Sequence, residues 1–173
     1  MKKILLLCLI STLSYFSDAQ DTKWAAGVRI GEPGGIMVRR NLNNGKNALE
    51  LNIGTYGGFW GQTRKYREGN YNTVGIAIGG NYIWHQDYGK MDGVKWYYGI
   101  GGQINSRRYD FLSAGTLVQE STLSIGGNAL AGAEYFLNDS PISIFAELAV
   151  YVELLQQPAF VHPQGGIGMR FNF

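Results

Sequence analysis

The sequence predicts an all-β fold: one eight-stranded antiparallel up-and-down barrel whose apolar face is turned outward toward a membrane. Three observations predict it. Eight segments alternate with period two, no segment has a convincing 3.6-residue period, and one face of each strand is nearly free of charge. The strands are expected at about residues 23–31, 36–43, 46–56, 73–85, 94–105, 121–136, 141–154 and 164–173. An even count, beginning and ending on a strand, is what a closed meander requires.

The chain has 173 residues, room for one domain, and no linker-like run divides it. Residues 1–19 have the parts of a secretory signal peptide: Lys2 and Lys3, the apolar run Ile4 to Ile10, and the small-x-small site Ser17-Asp18-Ala19. That run is too short to span a bilayer as a helix. Cys8 is a poor lipoprotein acceptor, because bulky Leu7 precedes it. The barrel domain is therefore expected over residues 20–173, without cysteine, so disulfides cannot hold it together. A formal net charge of +2 leaves no basic footprint for nucleic acid. With 25 Gly and 11 Tyr against only 4 Pro, the composition suits twisted, closely packed strands.

Strand one carries Trp24, Ala26, Val28 and Ile30 on its apolar face, and strand two Ile36, Val38 and Leu42. Strand three carries Leu49, Leu51 and Ile53; strand four Val74, Ile76, Ile78, Tyr82 and Trp84; strand five Trp96, Tyr98, Ile100 and Ile104. Strands six and seven continue with Leu123, Ile125, Ala129 and Tyr135, and with Ile142, Ile144, Leu148 and Val150. The last strand ends Ile167, Met169, Phe171, Phe173. Arg40 alone breaks the pattern, near a strand end where a long side chain can reach headgroups.

The opposite face is small or polar and holds the charges Arg29, Arg39, Glu50, Lys95, Glu134, Glu147, Glu153 and Arg170. These four basic and four acidic residues form the expected interior polar network, since a membrane barrel inverts the soluble arrangement. An eight-stranded barrel is just wide enough to be filled by side chains. The balance of signs favours a packed plug, while the many inward glycines would also suit a narrow wet channel.

With a periplasmic N-terminus, the aromatics Trp24, Tyr82, Trp84, Trp96, Tyr98, Tyr135, Phe171 and Phe173 all fall near the periplasmic ends of the strands. Such a ring is an interfacial girdle. The periplasmic connections are then short: Asn44-Gly45, about 86–93, and Asn138-Asp139-Ser140. The outer ones include two long stretches, about 57–72 and 106–120, the tight Glu32-Pro33-Gly34-Gly35, and 155–163. A type I′ turn at Asn44-Gly45 fixes register. It sets Arg39 opposite Glu50, Val38 opposite Leu51 and Ile36 opposite Ile53, which predicts an interior Arg39–Glu50 ion pair. Lys95 and Glu134 are expected to make a second pair.

With the signal, the girdle and the terminal Arg170-Phe171-Asn172-Phe173 in view, the mature chain resembles the small eight-stranded outer-membrane barrels of the OmpA and OmpX type. GVRIGEPGGIMVRRNL and the following ALELNIG are also similar to genome-predicted outer-membrane β-barrel domain proteins. The resemblance implies location in the cell outer membrane and no assigned chemistry. It also implies that Met169, Phe171 and Phe173 serve as the signal read by the barrel assembly machinery.

No cofactor or metal is expected. His85 and Asp87 at a turn are too few for a metal site. Asn138-Asp139-Ser140 is followed by Pro141 and reads as turn chemistry rather than a glycosylation site. Gly99-Ile100-Gly101-Gly102 lies within a strand with no helix after it, so it is no dinucleotide fingerprint. His162, Asp110 and Ser113 supply the residue types of a rim hydrolase or acyltransferase, but no nucleophile motif surrounds Ser113. The outer loops offer binding candidates: Trp60, Arg64, Lys65 and Arg67 in one, Arg107 and Arg108 in another. Exposed arginine beside aromatics suits a protein partner or lipopolysaccharide phosphates. The sequence thus points to a non-catalytic outer-membrane barrel with a structural or surface-interaction role. A lipid-modifying rim enzyme and a soluble periplasmic lipocalin-like barrel are the alternatives.

Overall fold

The computed structural model describes residues 22–58, 65–66, 69–71, 74–87, 89 and 91–173. The expected signal peptide and the candidates Trp60, Arg64 and Arg67 lie outside them. The described strands are β1 (Trp24–Glu32), β2 (Gly34–Leu42), β3 (Asn47–Tyr56), β4 (Lys65–Tyr66), β5 (Gly69–Tyr71), β6 (Gly75–Asp87), β7 (Val94–Ser113), β8 (Thr116–Phe136), β9 (Ile142–Glu153) and β10 (Val161–Asn172).

Eight of these form a closed antiparallel meander in the order β7-β6-β3-β2-β1-β10-β9-β8, and β7 pairs with β8 to complete the ring. β1 and β10 meet through the ladder Ala25↔Asn172 to Glu32↔Gly165. The backbones of Trp24 and Phe173 seal that seam by exchanging two hydrogen bonds of 2.9 and 2.8 Å. Both chain ends of the barrel thus lie at one rim, here called the terminal rim.

Register follows the turn chemistry. Asn44 and Gly45 both have positive φ, 54° and 77°, as a type I′ turn demands. The β2–β3 ladder accordingly pairs Arg39 with Glu50, Val38 with Leu51 and Ile36 with Ile53. A one-residue slip would send an inward charge such as Arg39 or Glu50 to the outer face.

At the far rim the structure departs from the expected connections. Residues 106–120 are not a loop. The β7–β8 ladder continues without a break to Ser113↔Thr116 and turns at Ala114-Gly115, where φ is 50° and 81°. The β4–β5 hairpin then docks on β7, with Asn70 opposite Asp110 and Tyr71 opposite Tyr109. Polar residues from Ser106 to Asp110 look like loop composition, but a strand projecting past an apolar wall needs no apolar outer face. The other displaced boundary is β10, which starts at Val161.

The wall is inverted relative to a soluble barrel. Ile30 and Leu51 are each 66% exposed and Leu148 77%, whereas Arg170 is 1% exposed. At about 25 cal/mol per Å² of apolar surface, leaving this aliphatic band in water would oppose folding; in hydrocarbon the same band is at home.

Candidate functional site

The interior begins, at the terminal rim, with a box of two arginines and two glutamates. Arg39 Nε donates to Glu50 Oε2 at 3.0 Å, and Arg39 Nη1 to Glu134 Oε2 at 2.7 Å. Arg170 Nη2 donates to Glu50 Oε2 at 3.0 Å, and its Nη1 lies 2.9 Å from Glu134 Oε2. Each carboxylate therefore sits between two guanidinium groups, and the four charges cancel. All four residues are buried.

Neutral groups complete the box. Ser143 Oγ donates to Glu134 Oε1 at 2.5 Å, and Asn172 Nδ2 donates to Ser143 Oγ at 3.1 Å. The Arg170 guanidinium lies 3.6 Å above the Phe145 ring centre, and Arg39 lies 5.2 Å from that of Tyr97. His85 Nε2 is 3.2 Å from Arg39 Nη1 on the terminal-rim side. The cluster needs partners from β2, β3, β8 and β10 at once, so only the closed barrel assembles it.

Lys95 does not join the box. It stands opposite Glu134 in the β7–β8 ladder, but its ammonium lies 3.9 Å from Asp87, over the Phe136 ring. Two arginines already hold Glu134, and the Lys95 side chain remains 21% exposed at the rim. The expected Lys95–Glu134 pair is corrected accordingly.

A second ion pair occupies the middle of the barrel. Arg29 Nη1 reaches Glu147 Oε1 at 2.6 Å, and Tyr97 Oη donates to Glu147 Oε2 at 3.1 Å. Toward the far rim, Tyr66 Oη donates to Glu153 Oε1 at 2.7 Å. Glu32, expected in the tight outer connection Glu32-Pro33-Gly34-Gly35, is the fully buried last residue of β1. Its carboxylate accepts the Gly57 backbone N–H and lies 3.0 Å from His162 Nε2.

Interior glycines are sockets, not gaps. A Cβ at Gly132 would lie 2.6 Å from the Tyr97 ring, one at Gly168 2.5 Å from the Phe145 ring, and one at Gly27 2.9 Å from Arg170 Cγ. In each case the large residue is the glycine's direct partner in the ladder. Large-against-glycine pairing lets a ring or guanidinium lie across the neighbouring strand, so the glycines increase filling. The interior rings Tyr97, Phe145 and Tyr151 have no place in a reading that sorts aromatics to the wall; for Tyr97 and Phe145 the glycine partners are the signal that reveals them.

The far rim is roofed by aromatics. Tyr66 packs edge-on against Tyr109 and Phe160, with centroids 5.5 and 5.3 Å apart, and Tyr56 lies 5.0 Å from the His162 ring. Arg107 was expected on an exposed loop. Its inward position on β7 buries it, with the guanidinium 5.6 Å from the Tyr56 ring. Arg108, next along, faces out, and Lys65 lies on β4.

The residues of a rim enzyme are not brought together. His162 is fully buried beside Glu32, Asp110 accepts a hydrogen bond from Gln119, and Ser113 is at the exposed hairpin tip.

On the outer wall, the aromatics of the expected girdle gather at the terminal rim. Trp84 bridges Tyr82 and Tyr98, with centroids 4.8 and 5.5 Å apart, and Trp96 and Tyr135 continue the series on β7 and β8. Trp24 stands on β1, and Phe171 packs against Phe173 at 6.1 Å. Met169 and Phe171 on β10 and Phe173 just beyond its end share the outward face.

A closed antiparallel barrel with charges inside and aliphatic residues outside has the architecture of a membrane-spanning β-barrel. Its solved likenesses are eight-stranded outer-membrane barrels. The N-terminal β-barrel domain of Pseudomonas aeruginosa OprF superposes with a TM-score of 0.59 at 15% identity, covering 88% of this chain and 98% of that one. Neisserial surface protein A superposes with a TM-score of 0.55 at 19% identity, covering 87% and 93%. No family model and no curated protein sequence matches the chain.

Proposed function

We propose that this chain is an integral outer-membrane barrel with a structural or surface-interaction role and no catalytic one. The observation that carries the proposal is the inverted wall: aliphatic residues face out around the barrel while Arg39, Glu50, Glu134 and Arg170 neutralise one another within it. Hydrocarbon is the solvent that suits the first feature, and mutual pairing makes the second tolerable.

The plug favours a closed barrel over a pore. Ion pairs, socketed rings and the aromatic roof occupy the axis from one rim to the other. In this reading the terminal rim is periplasmic, with its aromatics at the headgroup level. The outward Met169, Phe171 and Phe173 are then the segment available to the barrel assembly machinery. The projecting β7–β8 hairpin and β4–β5 face the exterior, where a protein partner or lipopolysaccharide would be met.

Membrane fractionation and heat-modifiable gel migration test the proposal. The protein should resist carbonate extraction and migrate faster before boiling than after. Release by carbonate without detergent would overturn it.

A further inference from the structure

Within the wall below the β7–β8 extension, Arg40 is the one charged residue on the outward face among the described residues. It stands opposite Trp24 in the β1–β2 ladder, and its guanidinium lies 5.5 Å from the indole ring centre. Beside the pair, at the terminal rim, is a groove of about 500 Å³ lined by Lys23, Trp24, Arg40, Asn41, Asn43 and Asn44 among others. Among the described residues no carboxylate lines it.

The groove is held in shape by the backbone. Asn41 N–H donates to Lys23 C=O at 2.8 Å, and Asn41 Nδ2 donates to Thr22 C=O at 2.8 Å. These bonds fasten the segment before β1 along the end of β2, so Lys23 and Arg40 border one concavity. Two cations with no acid among the described lining residues match a phosphodiester, and a guanidinium can bind its oxygens in parallel. Trp24 marks the depth as interfacial.

We propose that Lys23, Trp24 and Arg40 form a headgroup site for an anionic glycerophospholipid at the terminal rim. The site rests on the membrane reading given above. The lipid phosphate lies against Arg40 and Lys23, and the acyl chains run along the wall beside Trp24 and Val38. Arg40 is then the wall's lipid anchor, which accounts for a charge on a face otherwise kept apolar.

The test reconstitutes the protein in vesicles of phosphatidylcholine with phosphatidylglycerol and measures the association of spin-labelled forms of each lipid. Wild type should prefer phosphatidylglycerol. Arg40→Gln and Lys23→Gln should each lower that preference about fivefold, the effect of one basic residue near an anionic surface. Arg40→Lys should retain most of it, and Arg108→Gln, which removes the same charge at the opposite rim, should leave it unchanged. Insertion with no preference in wild type, or an undiminished preference in the Lys23→Gln/Arg40→Gln double variant, would overturn the site while leaving the membrane reading intact. Binding of inorganic phosphate in detergent without lipid preference would overturn the lipid assignment. Failure to insert into any vesicle would overturn the membrane reading, and the site with it.

Discussion

Arg39 and Glu50 face each other across the β2–β3 ladder, and their side chains meet at 2.9 Å inside the barrel. The same Glu50 oxygen also binds Arg170, so the pair is one side of a four-membered charge box. Removing one member strands a buried charge, whereas removing an arginine and a glutamate together preserves neutrality. Glu50→Leu alone should destabilise the barrel by about 3–5 kcal/mol, and Arg39→Met with Glu50→Leu by clearly less. Urea unfolding in lipid vesicles provides the comparison; equal losses would show that the box is not an energetic unit.

The glycine sockets predict an asymmetry between the two faces of the wall. Gly168→Val should press on both the Val28 backbone carbonyl and the Phe145 ring beneath Arg170, and cost at least about 1–3 kcal/mol as overpacking. Outward Gly102 is different, because a Cβ there would find no atom nearer than 3.8 Å. Gly102→Val should change stability little. The same unfolding measurement on both variants checks this, and equal penalties would contradict it.

The proposed plug predicts electrical silence. Purified protein in planar bilayers should show no discrete conductance steps. Arg170→Gly, which removes the side chain stacked on Phe145 and bound to both glutamates, should introduce small, flickering ones. Steady steps from the wild-type protein would refute the plug.

The terminal phenylalanine separates assembly from stability. Phe173 holds Trp24 through backbone hydrogen bonds, which Phe173→Ala preserves, while its exposed ring contributes little to packing. If the ring is part of an assembly signal, Phe173→Ala should reduce the folded fraction in the outer membrane several-fold. It should shift in-vitro unfolding by under about 1 kcal/mol, as surface substitutions usually do. A variant that reaches the membrane at wild-type levels would remove Phe173 from that role.

Period-two patterning was enough to locate the eight wall strands and to sort their charges inward, because each strand's side-chain direction is a local property of the backbone. The Asn44-Gly45 turn extended that legibility to register and to the Arg39–Glu50 contact, since a two-residue hairpin leaves one way to count outward. Where the solvent changes, the pattern fades. Above the apolar wall the outward face of β7 turns polar at Ser106, Arg108 and Asp110, so Arg107 resembled a loop residue although the alternation still carries it inward. The choice among interior partners was likewise not local: Lys95 is opposite Glu134 in the ladder, but Arg39 and Arg170 reach that carboxylate across the barrel from β2 and β10. Sequence by itself determined an inverted eight-stranded barrel and the register of its second hairpin. Only closure of the ring decided which interior side chains meet, because the box, the glycine sockets and the aromatic roof join strands far apart in the chain.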